Sequence, residues 1–287
     1  MTWPALLDMA FMRHAFAAGT CIAIAGSMIG YFVVLRRQAF AAHALSNVGF
    51  AGAAGASLAG VDPMLGLFIF VMAAAVVMAA AGENVGDRDV SVGMILMFSL
   101  GLGILFVNLY SANADAAIGI LFGSVLGIST AQMQLTAVVS LVVLVFLGAL
   151  FRPLRFASLN PQAAHARGVP VAAISMLFLL LLGAVASVSV PVIGSLLSFA
   201  IFVGPASAAQ TWTKRVTTGL ALTVLLALIE VWGGIAASYY VNWPASSCIA
   251  SLSFGFYAAG WLSKHAGFHT LLGRTRATTP YANAAAD

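Results

Sequence analysis

Long apolar runs alternate with short polar breaks along nearly the whole chain. A spanning helix needs about 20 apolar residues. That rule predicts nine segments, at roughly 13–35, 39–60, 64–81, 91–111, 132–151, 171–190, 192–212, 216–240 and 246–263. Residues 112–131 are apolar but shorter and glycine-rich, and read as an outer half-helix. The stretch VSVPVIGS demands a tight hairpin between the sixth and seventh segments; if one segment is re-entrant, the count is eight. The predicted fold class is an all-α integral membrane protein, a polytopic bundle of eight to nine helices spanning 1–266. A polar tail, 267–287, follows and is expected to be disordered.

Composition agrees. Of 287 residues, 62% are hydrophobic and 7% charged, with a mean hydropathy of +1.05. Soluble domains are about a quarter charged. So much apolar surface cannot be hidden in a soluble fold of this length. The net charge of +4 comes from few residues, so its information is positional and gives no nucleic-acid footprint. Arg36 and Arg37, Arg88, Arg152, Arg155 and Arg167, Lys214 and Arg215, and Lys264, Arg274 and Arg276 all fall on one side if nine segments alternate. The opposite loops hold no Lys or Arg, apart from Arg13 at the start of the first segment. This positive-inside pattern places the C-terminus in the cytoplasm and the N-terminus outside. The Met1 segment lacks a basic n-region and a clear cleavage site, so no removable signal peptide is expected.

The stretch RRQAFAAHALSNVGFAGAAGA, 36–56, carries the most suggestive chemistry. His43, Ser46 and Asn47 share one face of a helix of small residues. Inside a membrane such groups are costly unless they face other helices or a water-filled path. The face reads as the lining of a transport route. Glu230 lies among apolar neighbours on the eighth segment; it suits a pathway role or a structural hydrogen bond. Pro205 should kink the seventh segment, where Ser195, Ser198 and Ser207 add hydroxyls, which suits a gate or ordinary kinked packing. Gly26 and Gly30 form a GxxxG spacing, read first as intrachain packing. Cys21 and Cys248 can be paired on paper; two buried thiols acting as small hydrophobes is the simpler reading.

The inner loop 152–170 is different in kind. Pro153 is expected to stop the preceding helix. Asn160 then caps a helix of about two turns, with Pro161 at its first position, Ala164, His165 and Arg167 along it, and Gly168 as its stop. Such a helix is too short to be stable alone and makes sense if it docks into another protein. The loop 82–90, with Glu83, Asp87, Arg88 and Asp89, reads as solvated. No GxxxxGK[ST], HExxH, GxSxG or Cys/His cluster occurs, so the chain carries neither that route to ATP nor a catalytic site. A carrier with few ionisable groups and a docking helix points to energy delivered by a partner.

These features, taken in order, resemble the permease subunit of the ATP-binding-cassette importers for zinc, manganese and iron(II). Val34–Arg37 reads VLRR, and Ala42–Gly52 reads AHALSNVGFAG where the family has roughly GDALSHxxxxG. Leu159–Val169 resembles the family's inner-loop pattern, Ile193–Ala209 its later glycine–proline pattern, and Ser238–Ser247 its final SYYxxxPxG pattern. The resemblance implies a homodimeric or pseudo-dimeric permease in the cytoplasmic membrane. It implies an ATPase docked on the coupling helix Asn160–Gly168 and an extracytoplasmic binding protein that delivers metal. The metal is transported substrate; no resident cofactor is implied. The family usually has Asp at the place of His43 and His at the place of Asn47. An imidazole at His43, with Ser46 or Asn47 beside it, leans toward zinc ahead of manganese or iron. Two other readings are a permease for metal chelates and a stand-alone secondary carrier or channel. The scarcity of membrane carboxylates argues against the carrier.

Overall fold

The structure is a computed structural model that describes residues 10–81, 85–109, 123 and 127–265. The described residues form ten α-helices and no strand. They are α1 (Ala10–Leu35), α2 (Ala39–Leu58), α3 (Pro63–Ala80), α4 (Val85–Leu109), α5 (Thr130–Leu159), α6 (Pro161–Ala166), α7 (Val171–Ile193), α8 (Ser195–Trp212), α9 (Val216–Val241) and α10 (Ala245–His265). In lipid every backbone N–H and C=O must be satisfied within the chain, and helices achieve this. Six helices are long and apolar enough to cross a membrane: α1, α3, α4, α5, α7 and α9. Helices α2, α8 and α10 mix serines and glycines with their apolar residues, and α2 is nearly all buried. The chain is a multi-pass membrane protein.

Two groups of helices share α7 and α8. On one side α2 packs on α3 and α4, with α7 behind α3. On the other, α1 packs on α5, α8 and α9, and α10 closes on α8 and α9. Helices α4 and α5 turn most of their surface outward. Met94, Met97, Phe98 and Ile104 on α4 and Leu141, Val145 and Phe146 on α5 are exposed, as lipid-facing residues are. Inside, Phe32 of α1 meets Phe151 of α5 and Phe178 of α7 edge-on.

Small residues set several close approaches. A Cβ on Gly30 would lie 1.9 Å from the Phe202 carbonyl oxygen, so α1 and α8 meet backbone to side face. A Cβ on Gly52 would lie 2.3 Å from Gly66 O, joining α2 to α3 in the same way. The Gly26/Gly30 spacing is thus used for packing within the chain, since a Cβ on Gly26 would strike the Phe202 ring.

Several helix starts follow the sequence signals. Asp62 accepts from Met64 N ahead of Pro63. Ser129 and Gln132 form a reciprocal capping box. Asn160 accepts from Ala163 N, and Pro161 opens α6. One expectation is corrected. Pro153 does not end its helix; it lies inside α5, which runs on to Leu159. A proline there removes one backbone hydrogen bond near the helix end, which the rest of a long helix tolerates. The loop helix is six residues, close to the two turns expected, and Gly168, at φ 76°, turns the chain out beyond it. Between α7 and α8 the hairpin is reduced to one residue, Gly194, at φ 90° and ψ 155°. Pro191 sits inside α7. Both cysteines are free thiols. The outer half-helix region 112–122, the side chains of Glu83 and Asp87, and the tail lie outside the described residues.

Gly30→Ala is expected to cost about 1–3 kcal/mol through overpacking against Phe202. The thermal unfolding midpoint in detergent should fall. Gly101→Ala is the control: its added Cβ meets nothing within 4 Å, and the midpoint should hold.

Candidate functional site

The polar face of α2 is real and faces α8. Asn47 is buried and donates from Nδ2 to His43 O at 2.8 Å. Its Oδ1 accepts from Ser195 Oγ at 3.2 Å. That bond joins residues 148 apart in the chain. The His43 ring, partly buried, meets the Phe199 ring edge-on, centroids 5.2 Å apart. So α8 contributes two residues, Ser195 and Phe199, to the neighbourhood of His43 and Asn47. Ser46 is fully buried and donates to Ala42 O, one turn back on its own helix. Its hydroxyl proton is committed, so it offers an oxygen lone pair at most.

Asn47 spends its amide on orientation. Both ends of the side chain are engaged, which fixes its rotamer and leaves the His43 imidazole nitrogens as the unspent strong metal donors on this face. Phe199 borders the ring. Among the described residues, no three His, Cys, Asp or Glu side chains come together. The described residues of one chain therefore offer a single imidazole on this face with amide and hydroxyl oxygens beside it, a set suited to brief contact with an ion.

None of Glu230, Ser198 and Pro205 has a hydrogen bond to His43 or Asn47 among the described residues. Ser198 is buried and donates to Gly194 O at 2.7 Å, across the first turn of α8. Pro205 is buried within α8. Glu230, on α9, is fully buried; neither carboxyl oxygen has a hydrogen-bond partner among the described residues. Ser253 of α10 faces it, while its hydroxyl donates to Ala200 O of α8 at 3.0 Å. The structure thus places His43 and Asn47 against one side of α8, and Glu230 with α9 and α10 on another.

The loop helix α6 rests against α5 and α7. Ala164 is its buried contact, and the Arg167 guanidinium lies 5.4 Å from the centroid of the Phe156 ring. Gln162, His165 and Ala166 are exposed, as is Arg167 apart from its contact with Phe156. At the opposite ends of the helices, a cavity of about 450 Å³ is lined by Asp62, Met64, Leu67, Gln132 and Pro191. Sequence reasoning missed the pairing of Ser195 and Phe199 with α2. Ser195 was visible only as one hydroxyl among several near Pro205.

Comparison with known proteins converges on one family. The model of the ABC 3 transport family matches residues 8–263. The manganese import system permease protein ScaB of Streptococcus parasanguinis is 26% identical over 248 residues, which is 86% of this chain and 88% of that protein. The manganese transport system membrane protein MntC of Halalkalibacterium halodurans is 26% identical over 254 residues, 88% of this chain and 87% of that one. Among solved structures, PsaBC from Streptococcus pneumoniae in complex with Fab has a TM-score of 0.80 at 23% identity, covering 90% of this chain and 93% of that chain. That likeness shows the shared fold. With a family match over nearly the whole length, the chain belongs to the ABC 3 transport family.

Proposed function

We propose that this permease moves a divalent first-row metal ion inward across the cytoplasmic membrane. The observation that carries the proposal is the α2–α8 contact, in which a partly buried imidazole sits beside an amide held at both ends. The relatives' names put manganese first as cargo to test. Ligand chemistry keeps zinc beside it, because imidazole suits zinc and neutral oxygens suit manganese. The metal site is His43, with Asn47 and Ser46 oxygens supporting it, and it is completed by the same residues of a second copy. A set this sparse binds weakly, which a transport site requires for release.

Energy comes from a separate ATPase that docks on α6, with Asn160, Pro161, Ala164, His165, Arg167 and Gly168 forming the coupling element. A binding protein delivers the ion to the outer cavity at Asp62. Helix α8 acts as the gate wall. It touches the ion face through Ser195 and Phe199, and Pro205, Ser198 and the Glu230 pocket allow it to shift against α9 and α10. The buried Glu230 carboxyl faces Ser253 in that pocket.

ATP-dependent uptake into vesicles holding this chain, its ATPase and its binding protein tests the reading. Manganese, zinc and iron(II) compete in the same assay. His43→Ala should lower uptake about tenfold or more, since losing a contact worth about 1.4 kcal/mol already costs that factor. Unchanged uptake in that variant would remove His43 from the route. Uptake that proceeds without any ATPase would replace the importer by a carrier.

Asn160→Ala removes a helix cap worth about 1 kcal/mol from a helix of six residues. Uptake should fall while the permease still folds, and ATP hydrolysis by the complex should lose its dependence on metal. Asn160→Asp keeps the cap and should keep coupling.

A further inference from the structure

A second cavity, of about 290 Å³, opens at the arginine-bearing end of the bundle. Its polar lining is Arg36, Arg37, Gln38, Arg88, Ser158 and Ser175. Its other wall is apolar, with Leu35, Met78, Val171 and Leu179. No carboxylate lines it among the described residues. Three arginines therefore line one space, and the rest of its lining among the described residues is neutral.

The arginines are held and not loose. Arg36 donates from Nη2 to Ser175 Oγ and lies 5.3 Å from the Phe178 ring centroid. Arg88 is 8% exposed, and its Nη2 donates to Arg37 O at 3.3 Å. Arg37 adopts φ 55°, a left-handed turn that links α1 to α2. Arg88 Nε is buried with no hydrogen-bond partner among the described residues. Gln38, 2% exposed, likewise leaves its amide oxygen unpartnered. A buried charged donor without a partner costs free energy unless a ligand supplies the acceptor. The start of α7 adds to the same field. Val171 and Ala172 line the cavity, and Pro170 provides no side-chain cap for the first-turn amides. A helix N-terminus favours negative charge.

The height of the cavity in the membrane is fixed by the helices around it. The apolar spans end at Leu35, Ala80 and Leu159, and begin at Arg88 and Val171. Leu35, Arg88 and Val171 line the cavity, and Ala80 and Leu159 each follow a lining residue directly. The cavity therefore sits at the membrane–water interface, with charge on one wall and hydrocarbon on the other. Basic pockets between helices at this level bind anionic lipid headgroups.

We propose that this cavity is a binding site for a phosphate-bearing anion, with Arg88 and Arg37 as its principal donors. The chemistry is shared by an anionic phospholipid headgroup and by free inorganic phosphate. The apolar wall matches the glycerol and first methylenes of a lipid. The site is separate from the ion route at His43 and does not depend on which metal is carried. It adjoins the docking helix, because Ala157, Ser158 and Pro161 line the same space. Occupancy would stiffen the seat of that helix and the turn that leads into α2.

The test uses the purified full chain in a neutral detergent. The unfolding midpoint is read while short-chain phosphatidylglycerol, phosphatidylcholine of equal chain length, or inorganic phosphate is added. Wild type is compared with Arg88→Gln and with Arg37→Gln, whose exposed side chain makes it the safer variant to fold. The expected result is a rise in midpoint with phosphatidylglycerol, a smaller one or none with phosphatidylcholine, and loss of the rise in both variants. A rise with phosphate alone that matches the lipid assigns the free ion as the source and keeps the site. Equal response to both lipids, no response to lipid or phosphate, or a response that survives in Arg37→Gln overturns the proposal.

Discussion

Where two helices meet at bare backbone, the distance between them is fixed and everything mounted on them inherits that distance. Gly30 against the Phe202 carbonyl is such a contact. It seats α8 on α1 with no room for even a methyl group. The position of α8 then decides whether Ser195 reaches Asn47 and whether Phe199 reaches the His43 ring. Gly52 against Gly66 does the same for α2 and α3. In lipid, helices gain little from hydrophobic exclusion, so van der Waals contact at this range is the main cohesive term. The polar face of α2 is thus a product of packing between small residues, and its own polar bonds refine it.

Within that frame the polar groups divide by task. Asn47 works as a brace between two helices, with donor and acceptor both engaged. Ser46 and Ser198 bond back to carbonyls of their own helices, which satisfies them without linking elements. His43 alone keeps strong donor atoms on the α2 face. Glu230 is the opposite case, a buried carboxyl without a described partner, held among α8, α9 and α10. At the arginine end the guanidiniums are partly engaged and partly unsatisfied, which separates a structural turn at Arg37 from the unfilled donor at Arg88.

Much of the architecture was legible from local pattern. Each long helix lies within a few residues of an apolar run, because polar breaks such as Arg36–Gln38 and Thr213–Arg215 mark the ends. The cap at Asn160 and the stop at Gly168 were readable because capping chemistry is local. Pro153 misled, since the rule that proline breaks a helix weakens when thirty residues of α5 hold the remaining bonds. The number of spanning helices was less legible than their positions, since α2, α8 and α10 dilute apolar residues with small and polar ones. The partners of His43 and Asn47 were not legible at all. They lie about 150 residues away in the chain, and only the packing of α8 brings them near. The three cavity arginines read as an orientation signal for the same reason: their shared cavity is a tertiary fact.

The single residue between α7 and α8 has a mechanical consequence. Gly194 supplies only two soft torsions, at a conformation that side chains resist. Helix α8 is therefore a lever pivoted at one end. With 18 residues at about 1.5 Å each, it is about 27 Å long. A swing of about 10° at the pivot moves its far end by about 5 Å, but moves the level of Phe199, about 7 Å along, by only about 1 Å. In such a swing the Trp212 end would travel several times farther than the level of Phe199, working against the Gly30–Phe202 seat and the Gln210 bond to Tyr31 O.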